Sequence, residues 1–202
     1  MQTELAGKKK TKPVKKGKVN RRAELLQKAG ELMADKGYEG ASMRNIADAV
    51  GILPGSVYYH FESKEALFEE LHRNIVAAMT QRVKDAVAEF TDPWDRLEAA
   101  ACAHIEGLLE TGNQVAIVSP GFARQPEGIE SVVREERRTY EDIFRMLLDA
   151  LDLPEGTDRT LMRLSLFGTL NWAPVWFQPG GTYKPSDIAH QHIGVLRRAY
   201  SG

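Results

Sequence analysis

A chain of 202 residues that is 43% hydrophobic and 27% charged can bury a full core, in one domain or in a small domain joined to a larger one. Its single cysteine, Cys102, rules out an internal disulfide, no N-terminal apolar segment resembles a signal peptide, and the longest apolar runs are broken by Pro120, Asn171 and Pro174, short of the ~20 residues that span a bilayer; a cytoplasmic location and no membrane partner are expected. The net charge of −1 hides a split: residues 1–64 hold 13 Lys or Arg against 7 Asp or Glu, net +6, while 65–202 hold 14 against 21, net −7. A basic head on an acidic body favours a polyanion partner for the head alone, because Lys and Arg contacts to phosphate supply most non-specific nucleic-acid affinity.

In chain order, residues 1–18 contain seven lysines and almost no large apolar groups, so they predict a disordered basic arm, either lying along phosphates or acting as a solubilising extension. Helix 1 starts with Asn20 as N-cap, carries Leu25, Leu26, Ala29, Leu32 and Met33 on one face and ends at Lys36-Gly37. Ser42 caps helix 2, Gly51 ends it, and Pro54 suits the first turn of helix 3, where a missing N–H costs nothing. Ser63 caps a long fourth helix with no Pro or Gly before Thr91-Asp92-Pro93, so it is expected to run to about Phe90 and link head to body. Helical patterning continues over 93–111, 113–119, 127–151, 158–177 and 186–200, with no convincing strand. The piece LMRLSLFGTLNWAPVWF is apolar almost all round and needs covering on several sides. The last helix, with Ile188, His192, Val195, Leu196 and Ala199 on one stripe, is the expected cover, and two copies of the pair would build a four-helix interface in a homodimer.

The most informative stretch is Met43 to Glu62, MRNIADAVGILPGSVYYHFE, whose spacing fits two short helices meeting at a tight turn. Ala47 falls where the helices cross closely, Gly51 where the turn needs positive φ, and Ile46, Val50, Ile52 and Val57 supply the contacts between them. Such a helix-turn-helix places the start of its second helix in the major groove, so Pro54, Gly55, Ser56 and Tyr59 are candidates to approach base edges. No Arg, Asn or Gln lies on helix 3; Arg44 is the nearest group able to grip a guanine edge, with a phosphate clamp as the alternative role. Tyr58, Tyr59 and His60 point in different directions, so at least one tyrosine hydroxyl is expected to reach a phosphate while Phe61 packs inward. Ser42 presents the helix 2 N-terminus to a phosphate, and Lys64, a cation opposing the macrodipole in the first turn of helix 4, makes sense beside another; a solvated surface lysine is the alternative.

These residues resemble the TetR family of bacterial transcriptional regulators. Its N-terminal signature is matched by SMRNIADAVGILPGSVYYHFESKEALFEEL, including the Tyr-x-His-Phe-x-x-Lys run after the recognition helix, over about residues 20–66. The resemblance implies an all-α, TetR-like fold: a helix-turn-helix DNA-binding domain at 19–66, and a larger ligand-binding and dimerisation domain at 67–202. It further implies a repressor released from a palindromic, inverted-repeat operator by a small ligand. A second likeness, NWAPVWFQPGGTYKPSDIA with Gly-Ile-Leu at 51–53, is similar to the subgroup that controls fatty-acid and sterol catabolism and senses acyl-CoA thioesters. Members often carry an arginine before the Pro-Gly-Gly, where it would meet CoA phosphates; here Gln178 stands, and position 175 is Val. The effector is therefore read as a small apolar molecule such as an acyl-CoA or fatty acid, a different hydrophobic compound sensed by a regulator of an efflux gene being one alternative and a DNA-organising protein without effector another.

Candidate cavity-lining residues are Trp94, Cys102, Ile105, Phe122, Phe144, Phe167, Asn171, Trp172 and Trp176, with Phe90 beside them, although helical bodies need such residues for packing anyway. Asn171, an amide in an apolar helix, needs a partner on a neighbouring helix or a ligand carbonyl. Catalysis is not expected: His190 and His192 face different ways on a helix, no His-x-x-x-His pair, P-loop or Gly-x-Ser-x-Gly occurs, and Cys102 has no partner for a zinc site, so neither metal nor cofactor is predicted.

Overall fold

The computed structural model describes residues 20–110, 112, 117 and 128–200. The arm at 1–18, Phe122 and most of the helix expected over 113–119 lie outside the described residues. The described residues are helical with no strand, as the patterning requires.

Local chemistry sets the head. Helix α1 (Arg21–Gly40) starts where the Asn20 side chain accepts from the Ala23 N–H, and it kinks at Gly37, whose φ of 71° is open to glycine alone at no cost. Helix α2 (Met43–Val50) opens on a capping box: Asn45 N–H donates to Ser42 Oγ (3.1 Å), and Ser42 N–H donates to Asn45 Oδ1 (3.2 Å). It stops at Gly51, left-handed at φ 71°, which lets Gly51 N–H reach Asp48 O and Ile52 N–H reach Ala47 O. Helix α3 (Pro54–His60) begins with the proline in its first turn. Ile46, Ala47 and Val57 are sealed between α2 and α3.

Helix α4 (Lys64–Ala88) is capped by Ser63 and ends two residues short of Phe90, which is left partly exposed. The body adds α5 (Pro93–Glu110), α6 (Glu130–Asp149), α7 (Arg159–Asn171), α8 (Ala173–Trp176) and α9 (Pro185–Tyr200). Asp92 initiates α5 by accepting from the Trp94 and Asp95 N–H groups, and Asp158 does the same for α7. Arg159 closes the C-terminal end of α6, donating to the carbonyls of Leu148 and Leu151. The single helix expected over 158–177 is broken at Trp172, because Pro174 has no N–H to give the preceding turn; Val175 N–H bonds Trp172 O, and Phe177 N–H bonds Ala173 O.

Two apolar cores result. One lies in the body among α4, α5, α6, α7 and α9. The other joins α1, α2, α3 and the first two turns of α4, and it also takes in Ile129 and Val133 from the beginning of α6. The head core therefore runs past residue 66 and includes part of the body, so α4 and α6 both touch the head. The last helix packs chiefly on α5, through Ala189 and Ile193, and only secondarily touches α7, so it does not cover the apolar helix in the way its stripe suggested.

Candidate nucleic-acid interface and effector-binding body

The outward surface of the head collects the residues read from the sequence. Tyr58 and Tyr59 are 54% and 86% exposed, Arg44, Gly55 and Ser56 are exposed, and Pro54 and His60 are half-buried. Tyr59 leans edge-on against His60, the ring centroids 5.3 Å apart. A Cβ built on Gly55 meets nothing within 4 Å, so the protein's own packing does not require glycine there. Among the described residues Arg44 has no ion-pair partner, which leaves its guanidinium available to an outside acceptor.

Lys64 has an internal neighbour that the sequence did not announce. Its Nζ lies 3.9 Å from the centre of the Tyr38 ring, while the Tyr38 hydroxyl donates to Glu65 Oε1 at 2.8 Å. Burial, with that carboxylate beside it, pushes the Tyr38 hydroxyl's pKa upward, so the ring stays neutral under the ammonium. Arg22 lies over the ring of Phe61 and pairs with Glu70, tying α1 to α4.

The expected cavity residues divide into groups. Trp94, Ile105, Phe144 and Phe167 are buried in the body core. At its centre His104 is held from both sides: the Tyr140 hydroxyl donates to Nδ1 (2.6 Å) and Nε2–H donates to Asn171 Oδ1 (2.9 Å). Phe144 and Phe167 pack edge-on to the imidazole. Burial drops the His104 pKa to about 4, against the opposing pull of the Asn171 bond, so the ring is neutral at physiological pH. Asn171 thus finds its partner on a neighbouring helix.

Cys102 faces a groove of about 680 Å³ between α4, α5 and α9, beside Phe90, and under a rim of Glu89, Asp95, Glu98 and Glu106. His190 pairs with Glu98, and its ring lies 3.8 Å from the Cys102 sulfur. Burial first, then the surrounding carboxylates, pushes the thiol up to about 12, leaving no thiolate near neutrality. Among the described residues no group of three His, Cys, Asp or Glu side chains is arranged to hold a metal ion.

Trp172 and Trp176 depart from the expected cavity. They stand outward, 59% and 48% exposed, in line with Leu161, Leu164 and Val175. Helix α7 is two-faced: Met162, Leu166, Phe167 and Leu170 fill the body core, while Leu161 and Leu164 are exposed on the opposite side. Sequence reading also missed the pairs His104–Tyr140 and His72–Glu136, which join residues 36 and 64 apart; a histidine in an otherwise apolar stripe was the available signal.

Together, the helix-turn-helix head and the larger helical body define the architecture of a DNA-binding regulator. Residues 25–71 match the family described as bacterial regulatory proteins, tetR family, and residues 91–200 match the Tetracyclin repressor-like, C-terminal domain. The chain belongs to the TetR family and is a DNA-binding transcriptional regulator. It is 30% identical over 187 residues to the HTH-type transcriptional repressor KstR2 of Mycobacterium tuberculosis (strain ATCC 25618 / H37Rv), covering 89% of this chain and 93% of that protein. KstR2 of Rhodococcus jostii (strain RHA1) is 31% identical over 193 residues, covering 89% and 91%. Among solved structures, AibR in complex with isovaleryl coenzyme A and operator DNA has a TM-score of 0.75 at 25% identity, over 87% of this chain and 97% of that one. The ketosteroid transcriptional regulator KstR2 of Mycobacterium tuberculosis has a TM-score of 0.67 at 28% identity, over 91% and 97%.

Proposed function

We propose that the chain is a homodimeric repressor that binds an inverted-repeat operator through its heads and leaves it when the body takes up a small apolar effector, an acyl-CoA or fatty acid. The observation that carries the reading is the outward face of α3, where Tyr58 and Tyr59 stand exposed around a glycine that the fold itself does not need. In this reading Pro54, Gly55 and Ser56 approach the base edges, Tyr58, Tyr59, His60 and Lys64 meet phosphates, the Ser42-capped end of α2 meets another, and Arg44 reads a base. The relatives named as repressors support repression, and the neighbour AibR, solved with isovaleryl coenzyme A and operator DNA, supports an acyl-CoA effector. The chain is read as a cytoplasmic regulator rather than an enzyme; burial pushes the Cys102 thiol up to about 12, so it offers no nucleophile near neutrality.

Release follows from the sharing of α4. Its first turns belong to the head core and its later turns, with Met79, Val83 and Val87, to the body core, so a body that repacks around an effector tilts the rod and changes the separation of the two heads. The effector must bind that second arrangement better than the first, since equal affinity shifts nothing. The test is footprinting on DNA flanking the chain's own gene. The expected result is two protected half-sites about a twofold centre, lost on addition of the effector; a chain that prefers no duplex over a polyphosphate competitor, or stays monomeric, overturns the reading.

A further inference from the structure

Where α4 and α6 meet, just below the head, the polar groups do not add up. His72 of α4 is fully buried and stacks against Phe68 of the head core. Its Nδ1–H donates to Glu136 Oε2 at 2.5 Å, and Arg73 donates to the other oxygen of the same carboxylate at 3.0 Å. That leaves His72 Nε2 buried with no partner. One residue on from Glu136, Arg137 is half-buried on α6, between Val133, which belongs to the head core, and Tyr140, which belongs to the body core, and its Nε and Nη2 are buried without partners as well. Glu141, one turn further on, is taken by Arg163.

Charge makes the gap specific. Arg73, Arg137 and Arg163 bring three positive charges to this seam, and Glu136 and Glu141 return two. Guanidinium N–H groups held out of water without an acceptor are a liability that native interiors avoid unless something occupies the position in a functional state. Burial lowers the Arg137 pKa against the pull of Glu141, and burial, then Arg137 and Arg73, lower that of His72 against the pull of Glu136.

We propose that the seam between α4 and α6, at Arg137 and His72, is the seat for the acid group of the effector: an anionic oxygen, from a carboxylate or a phosphate, carried by an apolar molecule. One oxygen accepts from the Nε–H and Nη2–H fork of Arg137, a geometry that planar and tetrahedral oxyanions both fit. A second oxygen accepts from His72 Nε2–H once that nitrogen takes up the proton that the acid brings or that water supplies, because Nδ1–H is already given to Glu136. The inference rests on the reading of the chain as an effector-released repressor and adds where the charged end of the effector sits. The location gives it leverage, because α4 and α6 both reach into the head core, so an acid group between them acts on the head without any relay.

The full chain is titrated with dodecanoate, dodecanoyl-CoA and methyl dodecanoate, reading affinity by calorimetry and operator release by fluorescence anisotropy. Arg137→Met is expected to weaken the acid that binds by roughly tenfold or more and to leave the methyl ester unchanged. It is also expected to raise the melting temperature of the ligand-free protein, which loss of a purely structural guanidinium would not do. His72→Asn provides a second variant, with the same selective loss. Response to dodecanoate assigns the seat to a carboxylate, and response to the thioester alone assigns it to a CoA phosphate. Unchanged acid affinity in Arg137→Met, equal loss of acid and ester, or no binding of any probe to the wild type overturns the proposal. Release of wild type and Arg137→Met alike by the same acid sinks the seat but leaves the repressor reading standing, whereas acid binding through Arg137 without any operator recognition sinks only the latter.

Discussion

Two exposed faces among the described residues are chemically opposite. The α3 face of the head offers phenol hydroxyls, a serine and an open glycine, with Arg44 nearby. The face of the body along α7 and α8 offers Leu161, Leu164 and Val175. A face that carries hydrogen-bond donors over little apolar bulk is suited to a hydrated polyanion, because its groups lose little by staying in water until the partner arrives. An apolar stripe on one side of a buried helix pays for exposure continuously and is relieved only by another such surface, which a second copy supplies by symmetry.

The sharpest way to break the comparison is to put a charge on the apolar face. Leu164 is exposed in the single chain, so Leu164→Glu leaves the fold of each subunit intact. Across a twofold axis the carboxylate is buried twice without a partner, at a cost of several kcal/mol, and the dimer dissociation constant is expected to rise by about a thousandfold or more. Sedimentation equilibrium reads it directly. Operator binding falls with dimerisation, whereas the same substitution has no route to the head if the α7 face is not an interface.

A second effect, nearly as large, separates the satisfied centre of the body from both faces. His104 drops from 6.5 to about 4 on folding, so the unfolded chain binds its proton first as pH falls. Stability from this group is complete above pH 6.5, declines as pH drops through the interval, and is exhausted near pH 4, a loss of about 3 kcal/mol in total. Urea melts at pH 7 and pH 5 of wild type and His104→Gln measure it: the variant is less stable at pH 7 and has the shallower decline. Equal slopes would mean that the imidazole is not buried in the neutral form.

How much of this was legible follows the distance along the chain over which each feature is built. Asn20, Ser42, Gly51, Pro54 and Ser63 announce the head because each acts within four residues of itself, by a cap or a backbone angle. The body's polar pairs join side chains 36, 64 and 67 residues apart, and no local pattern encodes which histidine meets which tyrosine, glutamate or asparagine. The outward stance of the tryptophans was not legible for a related reason. Apolarity marks Trp172 and Trp176 for burial, but whether the covering surface comes from the same chain or another is a property of the assembly.

Within the head, the comparison sharpens to the division between base reading and phosphate gripping. Arg44→Ala is expected to cost about 1–3 kcal/mol at one base position and to relax preference there. Lys64→Ala is expected to weaken all sequences alike and reduce the slope of log affinity against log salt by about one. Because Lys64 also covers the Tyr38 ring, its removal lowers thermal stability by about 0.5–1 kcal/mol, and Lys64→Arg restores that part. An unchanged salt slope in Lys64→Ala would remove the phosphate contact and leave the ring contact as its whole role.

The smallest expected effect on folding is also the cleanest on function. Gly55 sits in the first turn of α3 with ordinary backbone angles, and a Cβ there touches nothing in the protein. Gly55→Ala therefore removes backbone freedom from the unfolded chain without creating a clash, and the head gains about 0.5 kcal/mol or slightly more. If the turn approaches DNA as closely as the exposed tyrosines on the same helix indicate, the added methyl occupies space that the duplex needs, and operator affinity falls while stability rises. Opposite signs in a melt and a binding isotherm locate the constraint outside the protein; a rise in stability with unchanged operator affinity would place the DNA elsewhere.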